Sequence, residues 1–203
     1  MNFSKEETLI VTEETKTLIV PKGIKKLVCS GIGLETLILN EEVVYVDCPF
    51  NKLTVLIVPN NVTHLNCSDN QLTVLIVPNS VTRLDCSYNK LSKLTVPNSV
   101  TRLYCSGNKL SKLTVPNGVI YLYCSGNKLI ELIVPGSVIF LDCSGNLLED
   151  LSKYNELIKC FSKVDKVTCD ECKDYVIRDL AYITCKGHKK GYIRKTIICK
   201  KCF

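Results

Sequence analysis

The chain has 203 residues, 46% of them hydrophobic and 23% charged, with thirteen cysteines, no tryptophan and a formal net charge of +6. No stretch approaches the ~18 consecutive apolar residues of a membrane span, and the N-terminal MNFSKEETLIVTEETK holds an apolar run of only three between acids, so neither a membrane helix nor a secretory leader is predicted. The excess charge sits at one end: residues 163–203 carry eleven Lys or Arg against five acids, whereas residues 1–162 balance at fifteen each.

A strict period of nineteen residues organises the rest. Cysteines fall at Cys29, Cys48, Cys67, Cys86, Cys105, Cys124 and Cys143; leucines at Leu34, Leu53, Leu72, Leu91, Leu110, Leu129 and Leu148; asparagines at Asn51, Asn70, Asn89, Asn108, Asn127 and Asn146. A fixed period of this length predicts a solenoid, in which each short unit buries its apolar side by stacking on its neighbours. Residues 1–23 keep part of the register through Leu18, Val20 and Pro21, with Ile10 at the position expected for a cysteine, and are predicted to form an N-terminal capping coil. Residues 24–151 then make seven coils.

Within a coil, Leu84 and Cys86 alternate with polar neighbours, a period of two that predicts a strand; stacked coils make a parallel sheet. Asn89 follows where the chain must turn, and its amide can satisfy backbone groups of its own and adjacent coils. Leu91, Leu94 and Val96 return to the core. Nineteen residues leave no room for a helix on the opposite side, so Val96-Pro97-Asn98 is expected to be extended. Ile32 at an asparagine position and Pro49-Phe50 after a cysteine predict two altered turns. The repeating cysteines are expected to be buried and reduced, behaving as small hydrophobes, because neighbouring strands ~4.8 Å apart give poor disulfide geometry; thiols kept this way imply a reducing, intracellular setting.

The segment VTRLDCSYNKL matches the leucine-rich repeat core LxxLxLxxNxL, with cysteine in the third leucine slot. About two thirds of the chain resembles the short-repeat class of that family, known from bacterial effectors and giant DNA viruses, although those effectors usually run one residue longer and carry a second proline. The resemblance implies a concave sheet that binds a protein partner, without catalysis, in a pathogen or viral protein acting in the cytoplasm.

Residues on either side of the buried strand position point to that face. One column reads Lys26, Tyr45, His64, Arg83, Arg102, Tyr121 and Phe140, and the next Val28, Asp47, Asn66, Asp85, Tyr104, Tyr123 and Asp142. Arg83, Arg102, Tyr104, Tyr121, Tyr123 and Phe140 therefore form the candidate partner-binding patch, since Tyr and Arg are enriched at binding hot spots. His64 has no carboxylate or nucleophile organised around it and reads as a surface histidine rather than a catalytic base.

After Leu151 the register fails. Leu147, Leu148, Leu151, Tyr154, Leu157, Ile158 and Phe161 follow helical spacing, predicting a helix over 147–163 that caps the last coil. The remaining tail, 164–203, holds Cys169-Asp-Glu-Cys172 and Cys199-Lys-Lys-Cys202, two knuckles with the spacing of a structural zinc site. Tyr175 to Thr184 and Tyr192 to Ile198 read as β-rich segments around a Gly-His-Lys-Lys-Gly turn, an arrangement that resembles a zinc ribbon holding one ion. Cys185 and His188 offer an alternative with Cys169 and Cys172, and disulfides or free thiols remain open. Cys172-Lys173-Asp174 also spells the triplet of effector-linked ubiquitin ligases, but those domains are several times longer than this tail. Lys186, Lys189, Lys190, Arg194, Lys195, Lys200 and Lys201 supply seven cations without an acid, an alternative surface for RNA or DNA.

Overall fold

The computed structural model describes residues 3–148 in full and, beyond them, the backbone of four short strands. Every strand has three residues: β1 (Thr8–Ile10), β2 (Thr17–Ile19), β3 (Lys26–Val28), β4 (Thr36–Ile38), β5 (Tyr45–Asp47), β6 (His64–Asn66), β7 (Arg83–Asp85), β8 (Arg102–Tyr104), β9 (Tyr121–Tyr123), β10 (Phe140–Asp142), β11 (Lys166–Thr168), β12 (Tyr175–Ile177), β13 (Ile183–Cys185) and β14 (Ile193–Lys195). An eight-stranded parallel sheet runs in the order β1-β3-β5-β6-β7-β8-β9-β10. From β3 onward each strand pairs with its counterpart nineteen residues away, as Leu84 does with Leu103. The opposite side of the solenoid is extended, with a small parallel sheet of β2 and β4 and a bridge between Thr114 and Ile133. No helix occurs among the described residues; the expected cap over 147–163 falls almost entirely outside them.

The repeat places one column of each residue type in the interior. Leu34, Leu53, Leu72, Leu91, Leu110 and Leu129 are fully buried, as are Cys29, Cys48, Cys67, Cys86, Cys105 and Cys124, with Cys143 at 1% exposure. The seven cysteines of this column are thiols that form no disulfide. Burial in this apolar column opposes ionisation, pushing Cys29 and Cys105 up to about 12 and Cys48, Cys67 and Cys86 also well above the ordinary thiol value.

The asparagine column closes the turns. The Asn89 carboxamide oxygen accepts the Leu72 N–H at 2.9 Å, while its NH2 donates to the carbonyls of Cys67 (3.0 Å), Cys86 (3.2 Å) and Ser87 (3.2 Å). Asn51, Asn70, Asn108, Asn127 and Asn146 repeat this pattern, each tying its own coil to the one before. Buried backbone groups at the turn thus find partners that water cannot supply there. On the return path, prolines open a second turn: the Val100 N–H donates to the Pro97 carbonyl at 3.1 Å, and Val62, Val81, Val119 and Val138 do the same to Pro59, Pro78, Pro116 and Pro135.

Three local expectations are corrected or refined. The turn of the N-terminal cap is one residue shorter than the others, because Thr8 pairs with Lys26, eighteen residues on, while Thr17 pairs with Thr36, nineteen on. Val11, packed against the core, therefore occupies the cysteine position, and Ile10 is 64% exposed. The Pro49-Phe50 turn is not altered: Phe50, Asp69 and Tyr88 have φ of 56°, 53° and 53°, and Gly31, Gly107, Gly126 and Gly145 occupy the same left-handed position in their coils. Ile32 does change its turn, since Gly33 adopts φ 78° and the Thr15 N–H donates to the Ile32 carbonyl.

Beyond residue 148, β11 pairs antiparallel with β12, and β13 with β14 in the register Ile183↔Lys195. The expected Gly-His-Lys-Lys-Gly turn between β13 and β14, residues 187–191, lies outside the described residues. Cys169, Cys172, Cys199, Cys202, His188 and most of the tail lysines lie outside the described residues.

Candidate partner-binding face

The period of two in each strand sends the central leucine inward and its neighbours outward, and the in-register parallel pairing lines up those neighbours across coils. Two clusters result. Toward the N-terminal end, Lys26 Nζ stands 5.1 Å from the Tyr45 ring centroid, and Tyr45 stacks on His64 at 5.7 Å. Toward the C-terminal end, Tyr104 stacks on Tyr123 at 4.6 Å, Tyr123 on Phe140 at 4.4 Å, and the Arg102 guanidinium lies 5.2 Å from the Tyr121 ring.

The second cluster contains the residues singled out from the sequence, but its members are not equally accessible. Arg83 is exposed, and Arg102, Tyr104, Tyr121 and Tyr123 are half-buried, while Phe140 is only 4% exposed. Phe140 therefore supports the end of the stack rather than offering contact area. Burial, then the neighbouring Tyr104 and Asp142, raises the Tyr123 hydroxyl above its ordinary value, so it stays a donor at any physiological pH.

Between the clusters lies a shallow depression of about 240 Å³ lined by Tyr45, His64, Asn66, Arg83, Asp85 and Tyr104. It was not singled out in the sequence, because its polar members are ordinary one by one and become a site only when four coils stack. Asn66 donates to Asp47 at 2.8 Å, and Asp85 accepts the Ser87 backbone N–H at 3.0 Å. Burial raises the Asp85 carboxyl despite that hydrogen bond. Burial and, after it, the Arg83 charge lower His64, whose Nδ1 lies 3.0 Å from the Thr63 hydroxyl. Cations occupy one column of this face and carboxylates the next. Among the described residues the ion pairs are Lys16–Glu35 and Lys25–Glu7, so Arg83, Arg102, Asp47 and Asp85 present their charges without a fixed counter-ion of that kind.

Comparison with solved structures places this architecture. YopM from Yersinia enterocolitica superposes with a TM-score of 0.63 and 28% identity over 68% of this chain, and YopM from Yersinia pestis, described as a leucine-rich effector protein, with 0.62 and 32% over 66%. The functional domain of InlJ from Listeria monocytogenes matches with 0.57 and 30% over 71%. The solenoid is a short-repeat leucine-rich-repeat fold. This solenoid spans 32%, 41% and 40% of those three chains respectively, less than half of each. No family model and no curated protein matches the sequence. Among the described residues no leucine-rich-repeat coil gathers three or more His, Cys, Asp or Glu side chains as a metal site, and no helix is long and apolar enough to cross a membrane.

Proposed function

We propose that the chain is a non-catalytic interaction module that binds a protein partner across the outward face of the eight-stranded sheet, the face expected to be concave. The stack of Tyr104 on Tyr123, with Arg102 over Tyr121 beside it, is the observation that carries this reading. Rigid aromatic faces bury large area at little entropic cost, and guanidiniums held without a carboxylate supply complementary charge to a partner's acidic groups. Arg83 and Arg102 would meet those groups, Tyr104, Tyr121 and Tyr123 would be covered, and Phe140 would hold the stack in place. The likeness to Yersinia pestis YopM, described as a leucine-rich effector protein, supports a binding role, and the buried thiol column supports an intracellular setting.

The double variant Tyr104→Ala/Tyr123→Ala tests the site. Partner capture from cell extract should fall to background while cooperative unfolding persists; undiminished capture by the folded variant would refute it.

The cysteine column is proposed to be structural, and InlJ, described as including a cysteine ladder, supports that reading. For the tail we propose one structural zinc held by Cys169, Cys172, Cys199 and Cys202, with nucleic-acid binding by its lysines as the alternative. Metal content of protein purified without added zinc, compared with Cys199→Ser/Cys202→Ser, tests the first; retention of nucleic acid that weakens steeply with salt tests the second.

A further inference from the structure

The opposite side of the solenoid carries a pattern the aromatic face does not explain. Ile19, Ile38, Val55, Ile57, Val74 and Ile76 are 65%, 50%, 68%, 80%, 67% and 80% exposed. They occupy two adjacent columns: Ile19, Ile38, Ile57 and Ile76 repeat every nineteen residues, and Val55 and Val74 stand two positions before the last two. In the next two coils the same columns hold Lys93 with Thr95 and Lys112 with Thr114, all exposed. Neither substitution pattern is needed for folding, because the inward positions Leu56, Leu75, Leu94 and Leu113 are buried alike in all four coils.

These six side chains offer on the order of 600 Å² of contiguous apolar surface, at the upper end of what a monomer exposes and close to the ~800 Å² each partner buries in a standard interface. The charge around the patch is graded along the solenoid. On its N-terminal side stand Glu13, Glu14 and Glu35, with Lys16 paired to Glu35 at 3.4 Å so that the acids exceed the cation there by two, and on its C-terminal side Lys90, Lys93, Lys109 and Lys112; the whole stretch from Cys86 to Ile130 contains no acid. A two-fold axis between the Ile57 and Ile76 coils would set Ile57 of one chain against Ile76 of the other. It would also place the Glu35 coil opposite the Lys93 coil, and the Glu13-Glu14 cap opposite the Lys112 coil. An isologous interface requires this kind of self-complementarity.

We propose that this side is the interface of an antiparallel homodimer, in which Val55, Ile57, Val74 and Ile76 dock on their own copies while Ile38 and Ile19, with the acidic residues beside them, lie against the lysine coils of the other chain. The dimer would leave the aromatic sheet faces free on opposite sides, giving two equivalent sites for partner binding.

Sedimentation of the full chain over a concentration series tests it. The wild type should self-associate to a dimer, and Ile57→Lys/Ile76→Lys, both at exposed positions, should weaken association about a hundredfold or more by burying charge in the contact. Lys93→Glu should weaken it and the addition of Glu35→Lys should restore it, which separates the antiparallel register from non-specific stickiness. A wild type that stays monomeric at high concentration would overturn the proposal, even if another protein binds the patch. So would a dimer indifferent to Ile57→Lys/Ile76→Lys while circular dichroism shows the variant folded.

Discussion

The inside and the outside of this solenoid obey opposite rules. Inside, one residue type fills each column: the asparagines make the same bonds coil after coil, and the cysteines and the leucines from Leu34 to Leu129 are all buried. Outside, the columns change along the solenoid, from His64 to Arg102 to Tyr121 on the sheet face and from Val74 to Lys93 on the other. Uniform columns are what stacking demands, since each coil is the template for the next. Variation in columns that stacking leaves free is where binding chemistry is written.

The comparison makes quantitative demands. The largest effect concerns the thiol column. Because burial raises Cys29, Cys48, Cys67, Cys86 and Cys105 in the folded state above their ordinary value of 9.0, with Cys29 and Cys105 at about 12, the unfolded chain releases these thiol protons first as pH rises. Their stabilising contribution is thus complete below about pH 9 and is lost as pH climbs through about 12, at up to ~1.4 kcal/mol per thiol for each pH unit. Denaturant midpoints measured across that window should fall steeply, and Cys105→Ala should make the decline shallower.

A single interior amide comes next. Asn108→Leu leaves the Leu91 N–H without its acceptor and removes one of the two amide donors from each of the Cys86 and Cys105 carbonyls, which keep Asn89 and Asn127, and should cost about 2–4 kcal/mol, whereas Lys109→Leu, exposed next to it, should change stability by less than about 0.5 kcal/mol. Equal losses would break the distinction between inside and outside.

Smaller effects test the left-handed turn column. A Cβ on Gly107 would lie 2.5 Å from the Tyr88 ring, at φ 65°, so Gly107→Ala should cost about 1–3 kcal/mol by thermal or chemical unfolding. Phe50→Gly, at the same position in its own coil, should stay within about 1 kcal/mol of the wild type. The smallest expected effect is that of His64. Its folded-state value is lowered, so its contribution is present above the ordinary 6.5 and is lost as pH falls through the lowered value; replacing it with Gln should flatten only a minor slope of stability in that acidic range.

Much of the fold was legible because a nineteen-residue register is a physical constraint repeated seven times. The asparagine and cysteine columns, the parallel sheet and the extended return path all follow from it. What escaped were single deviations. The one-residue deletion in the cap turn misplaced Ile10, since period matching cannot tell a shortened turn from an intact one. The left-handed turn position was visible as Gly31, Gly107, Gly126 and Gly145, but Phe50, Asp69 and Tyr88 in the same column hid it. On the sheet face, alternation identified the outward residues correctly, yet it could not reveal that Phe140 is buried or that His64, Asn66 and Asp85 surround a depression, because both depend on which coils lie alongside. The isoleucines at nineteen-residue spacing stand in the sequence as plainly, but a repeating apolar column reads as core until stacking shows that Leu56 and Leu75 fill it instead.

The most direct test of the central claim, that binding resides in the variable outward columns of the sheet, is site-specific photocrosslinking in extract with the probe placed in turn at Tyr104, at Arg83 and at Asn98, which is exposed in the proline turn away from the sheet. The account predicts one and the same partner adduct from Tyr104 and Arg83 and none from Asn98. Adducts of equal yield from all three positions, or an adduct from Asn98 alone, would contradict it.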